Sequence, residues 1–170
     1  ASFDSANPLI LTAGKSVFEF TTKSAFTTGA VTAVGGLVQV GYWNASNSGL
    51  TVSVPIAGDV SLTGGTVQIQ GKVGIGSYSA LGSAVALLSG DLAKDKVITL
   101  TGLSTALSSL AGYGQGAVLS FRAVLTDLAG NKRDGSVSGS KLTVDTGVPV
   151  DFATGVVVVS GGVIQTGYWN

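Results

Sequence analysis

The chain has 170 residues, enough for one domain with a real hydrophobic core and short appendages. Nine Lys plus Arg balance nine Asp plus Glu, so there is no basic stripe to neutralise a phosphate backbone, and nucleic-acid binding is not expected. Cysteine and histidine are absent, which removes thiol chemistry, disulfides, thiolate metal sites and the usual general base.

Along the chain, residues 1–25 come first and carry a weak internal echo. Thr12 to Phe20 (TAGKSVFEF) falls in gapless register with Ser138 to Thr146 (SGSKLTVDT), so that Lys15 meets Lys141 and Glu19 meets Asp145. The segment is read as a leader or as the diverged end of a preceding repeat. Phe26 to Asn44 (FTTGAVTAVGGLVQVGYWN) then recurs without a gap as Phe152 to Asn170 (FATGVVVVSGGVIQTGYWN), 126 positions on. Phe26, Thr28, Gly29, Val31, Gly35, Gly36, Gln39, Gly41, Tyr42, Trp43 and Asn44 are the matching residues. A period of that length belongs to a tandem array of domains rather than to a short solenoid. Residues 26–151 therefore form one whole repeat, and residues 152–170 open a following repeat or serve as an assembly strand.

Within the repeat, period-two alternation predicts strands at Leu50–Val54, Thr66–Gln70, Val97–Leu100, Ala117–Thr126 and Lys141–Val144. Turn clusters separate them at Asn47–Gly49, Pro55–Asp59, Gly74–Ser77 and Ala129–Asn131. Leu103, Leu107 and Leu110 stand at helical spacing and predict one or two helical turns over Ser104–Leu110. Ser89–Leu92 reads as a turn with Asp91 as a capping residue. Several short strands with regular turns argue for an all-β fold, a β-sandwich. No apolar run is long enough to span a bilayer; Val156–Val159 stops at Ser160-Gly161-Gly162, so the chain is not expected to be transmembrane.

Thr126-Asp-Leu-Ala-Gly-Asn131, followed by Leu142-Thr-Val-Asp-Thr146 and Pro149, resembles the bacterial immunoglobulin-like tandem repeats of large surface adhesins and extracellular matrix proteins. Val54 to Gln70 is also similar to repeats of long, Cys-free bacterial surface proteins. The resemblance covers about residues 26–170 and leaves residues 1–25 outside its pattern. It implies an immunoglobulin-like sandwich of about seven strands in Greek-key order, exported and strung in series.

The candidate sites follow from these readings. Asp59, Asp127, Asn131, Asp134, Asp145 and Asp151 put carboxylate and amide oxygens near turns and domain ends, and related repeats hold calcium between domains. Asp127, Asn131, Asp145 and Asp151 are the calcium candidates, against the reading that Asp and Asn simply build turns and that no DxDxDG-type run exists. The interface candidates are Tyr42 and Trp43 with Phe152, Val156, Val157, Val158, Val159, Val163, Tyr168 and Trp169. Paired aromatics also suit a glycan ligand, but a structural plug must recur with every domain, and this pair does. Asn44-Ala45-Ser46 fits a glycosylation sequon. No GxSxG elbow stands in place of the missing histidine, and Ser140-Lys141 within a strand is a poor match to Ser-Lys chemistry of the SxxK type, so no catalytic residue is assigned and an enzyme is not expected.

The lack of methionine leaves Ala1 as a processed or cloned start, and removal of a signal peptide is the preferred account. The functional expectation is a non-enzymatic, secreted structural module at the bacterial cell surface or in a biofilm matrix, with neighbouring copies of itself as partners. Its role is cell adhesion or fibre building by end-to-end association. Two alternatives accompany it: a pilin-like filament subunit that polymerises by exchanging strand 152–170, and a carbohydrate-binding module.

Overall fold

Alternation decides which face of each strand is buried, and a sandwich needs two such faces turned towards each other. The computed structural model describes residues 26–149, the short strands β1 (Leu11–Ala13) and β2 (Ser16–Phe18), and the isolated positions Gly155, Gly161, Gly162, Gly167 and Tyr168. β1 and β2 pair antiparallel with each other, Leu11 opposite Phe18.

The first sheet contains β3 (Val31–Val34), β5 (Gly49–Ile56) and β9 (Lys94–Leu100) in the order β3–β5–β9. The second is built on β4 (Tyr42–Asn44), β6 (Thr66–Val73), β10 (Val118–Thr126) and β12 (Leu142–Asp145), in the order β4–β12–β10–β6. Short strands complete its rim: β7 (Ser79–Ala80) and β8 (Val85–Ala86) lie on β6, and β11 (Lys132–Asp134) lies on β10. Every named pair is antiparallel except β4 with β12. The result is the all-β, two-sheet sandwich expected from the sequence, an arrangement consistent with an immunoglobulin-like fold.

The inward faces interdigitate into one core. Val31 and Ala33, with Leu50, Val52, Val54, Ile56, Ile98 and Leu100, meet Trp43, Val67, Ile69, Leu119, Phe121, Leu125, Leu142 and Val144. The predicted helical turn exists as α1 (Ser104–Ser108), and Leu103, Leu107 and Leu110 close one end of the core. Leu62, on a single 3-10 turn over Val60–Leu62, belongs to the same core. The Ser89–Asp91 segment is a 3-10 turn as well. Its Asp91 carboxylate accepts from Lys96 Nζ at 2.7 Å and from the Leu88 N–H at 2.8 Å. Those two donors, Lys96 first, hold the Asp91 pKa below the usual carboxylate range.

Two sequence expectations need correction. The Pro55–Asp59 turn begins later, because β5 runs through Ile56 with Pro55 opposite Asp95. Ser53 donates its N–H towards Ala30, so alternation aims position 55 the same way, beyond the end of β3; a residue with no N–H loses nothing there. The second correction concerns the reading of residues 152–170 as a single strand, because Phe26–Asn44, the segment they repeat, is not one strand. Phe26–Asn44 supplies β3 to the first sheet, crosses at Gly35–Gly41, and supplies β4 to the second.

Candidate functional site

The recurring motif is the segment that makes this crossing, and nearly every matched residue has a steric or hydrogen-bonding task in it. Thr28 is buried and its Oγ1 accepts from the Ala123 N–H at 2.8 Å. Gly29 lies so close to β5 that a Cβ would sit 2.8 Å from the Ser53 carbonyl oxygen. At the crossing, Gly35 and Gly36 have φ of 85° and 58°, and a Cβ on either would collide with Ser48 or Ser46. Gly41, at φ 80°, completes a tight turn in which the Tyr42 N–H donates to Gln39 O at 3.1 Å. Trp43 then enters the core at 2% exposure.

Asn44 and Asn47 pin the crossing in place. Asn44 Nδ2 donates to Leu37 O at 2.7 Å, while its Oδ1 accepts from Ser46 N and Oγ at 2.9 and 2.7 Å. Asn47 is buried; it donates to Gly35 O at 2.8 Å and accepts from the Asn44 N–H at 2.8 Å. The amide nitrogen of the Asn44-Ala45-Ser46 sequon is thus already committed to the Leu37 carbonyl. In the second copy, Gly161, Gly162 and Gly167 have φ of 87°, 65° and 82°, the same left-handed backbone at each matching glycine.

The two termini of the repeat lie towards opposite ends of the sandwich. Phe26 accepts from the Ser136 N–H and Thr28 donates to Ser136 O, so the chain comes in beside the stretch that follows β11. β3 then runs towards Gly49, opposite Val34. β12 passes Leu119 and Val118 and ends at Asp145, beside Asn44 at the other end. We call these the incoming and outgoing poles. At the outgoing pole Gln115 grips the departing chain: its Nε2 donates to Asp145 Oδ1 at 2.6 Å, and its Oε1 accepts from the Thr146 and Gly147 N–H groups at 2.9 and 2.8 Å. Beside that grip lies an open groove of about 260 Å³, lined by Trp43, Asn44, Thr105, Ser108, Tyr113 and Thr146.

The calcium candidates do not share one place. Asp127 follows β10 and holds its own turn, accepting from Asn131 N at 2.8 Å and Asn131 Nδ2 at 2.9 Å. Asp145 is at the opposite pole, separated by the nine residues of β10, about 30 Å of extended chain. Asp151 lies outside the described residues. Among the described residues no group of three or more acidic side chains gathers as metal ligands. Of the interface candidates, Trp43 is core, while Tyr42 and Tyr168 are 41% and 66% exposed. Phe152, Val156, Val157, Val158, Val159, Val163 and Trp169 lie outside the described residues.

Sequence reading passed over two clusters. Gln115 is one, since an isolated glutamine in a Gly-rich loop carries no pattern. The other lies on the outer face of the second sheet, where Arg122 pairs with Asp134 at 2.7 Å, donates to Gln70 at 2.8 Å and stacks 4.2 Å from the Tyr78 ring centre. Lys72 approaches the same ring at 4.9 Å. Burial raises the Tyr78 pKa, and Arg122 opposes that rise. This is a packing and charge network on a sheet surface, with no nucleophile beside a base. No helix among the described residues is long and apolar enough to cross a membrane. Comparison with protein-family models and with curated proteins gives no match to the chain.

Proposed function

We propose that the chain is a non-catalytic structural module of an extracellular bacterial fibre, adhesin stalk or matrix, in which immunoglobulin-like sandwiches follow one another end to end. The observation that carries this reading is the polarity of the repeat. The chain comes in towards one pole and leaves at the other, and the segment that opens the sandwich begins again at Phe152. Concatenation of such a unit extends along one axis and leaves the sides of each domain free. The composition agrees, with sparse charge and no cysteine, histidine or methionine.

Exchange of strand 152–170 between molecules is the second reading, supported by the same recurrence. The two copies differ at a place that matters for it. Ala33 is 3% exposed in the core, and Val159 is its counterpart in the second copy. Two extra methyl groups in a closed core cost about 1–3 kcal/mol. The second copy therefore suits a sandwich with more room there, namely the repeat it opens. A glycan-binding role has less support, because Trp43 is buried.

The test is small-angle scattering on a two-domain protein, residues 1–151 followed directly by residues 26–151. The reading predicts a maximum dimension roughly twice that of a chain ending at Asp151. A compact, side-by-side particle would contradict it.

A further inference from the structure

Resting on the end-to-end reading, we infer that successive domains touch through one defined joint: the Leu128–Gly130 turn of the following domain seats in the outgoing-pole groove of the domain before it. Three observations lead there.

The first is reach. From Asp145 to Phe152 there are seven residue steps, at most about 24 Å of chain. In its own domain Phe26 sits level with Ala123 and Gly135, three residues short of the end of β10, about 10 Å below that rim. A following domain of the same fold uses up that 10 Å running down past its own rim. At most about 14 Å of chain is left between the poles. Gln115 shortens the free length further by holding the Thr146 and Gly147 N–H groups on the first domain. The turn Asp127–Asn131 projects into what remains, so the poles cannot stay apart.

The second is placement. The chain leaves next to the groove, since Thr146 lines it. It comes into a domain next to the continuation of β11, and the Asp127–Asn131 turn is the loop joining β10 to β11. The linker that leaves beside the groove of one domain enters the next beside that turn, so both features flank the same short connection.

The third is chemistry. Leu128 is 74% exposed at the tip of that turn, leaning on Gly64, with exposed Val60 next to the Ser61 that receives its N–H. A lone exposed leucine is ordinary. This one stands on the pole that the linker length brings against another domain. The groove offers Tyr113 and the small Ser108 beside the buried Trp43, and its 260 Å³ is room for a leucine side chain. The occupant is thus a second copy of this fold, by its incoming pole.

The joint is testable in the two-domain protein, whose lack of cysteine makes site labelling clean. Spin labels are placed on Thr99→Cys in both domains, an exposed position on β9, and the interlabel distance distribution is measured. A narrow distribution is expected. Leu128→Lys in the second domain, or Ser108→Arg in the first, should roughly double its width, as for a linker free to sample coil. The same substitutions in the opposite domains face solvent and should change nothing, which controls for damage to folding. A broad distribution in the unsubstituted protein, or one indifferent to all four substitutions, would overturn the joint. An elongated scattering profile with that broad distribution would leave the end-to-end reading standing without the joint; a compact profile would remove both.

Discussion

Trp43 shows how a single residue ties the repeat to the fold. Its ring fills the core at the point where the first segment has just changed sheets, so its loss leaves a cavity that both sheets share. Trp43→Ala should cost about 3–5 kcal/mol, read from urea denaturation of the full chain. A loss below about 1 kcal/mol would mean the crossing segment contributes little to closing the sandwich. Ala33 gives the reciprocal prediction. Ala33→Val should destabilise by about 1–3 kcal/mol, because the site is already filled. A neutral or stabilising result would show that the second copy fits this sandwich as well as its own, which favours strand exchange. The aromatic motif was legible in the sequence because Tyr-Trp-Asn recurs in register. Its meaning was legible only in part: recurrence marks a structural task but does not separate a core plug from a surface joint. The structure divides the pair, burying Trp43 and leaving Tyr42 at the surface.

At the level of elements, alternation located β5, β6, β9 and β12, and leucine spacing located α1, because each has one wet face and one dry face; β10, buried along most of both faces, was read from its length as a central strand. It failed where that logic lapses. β3 and β4 lie within one segment, separated by glycines whose left-handed backbone turns the chain between sheets, and no alternation survives such a crossing. Pro55 read as a breaker because a proline in a central strand normally forfeits a ladder bond. Here β3 has ended before that rung. Gln115 escaped notice because its three partners lie about thirty residues away in sequence. Gln115→Ala should free the outgoing strand while barely affecting the core. Hydrogen exchange at the Thr146 and Gly147 amides is expected to accelerate markedly, with a global stability loss of about 1 kcal/mol or less. Unchanged protection at those amides would show that something other than Gln115 holds the chain as it leaves.

For the whole molecule, the sandwich closes within residues 26–145, and the polarity of its ends makes a chain of such units extend rather than fold back on itself. On the proposed end-to-end reading, adjacent domains meet at poles brought together by a short linker. Stiffness in such a fibre is a property of the joints more than of the domains, because each sandwich is already fixed by its core. On this account residues 152–170 belong to the domain they open and are not a strand offered to a neighbouring molecule. The measurement that tests this most directly is the solution mass of the 170-residue chain by light scattering, beside a chain ending at Asp151. The account predicts that both are well-folded monomers. Multimers from the full chain, with a monomer from the shorter one, would contradict it and make residues 152–170 an assembly strand.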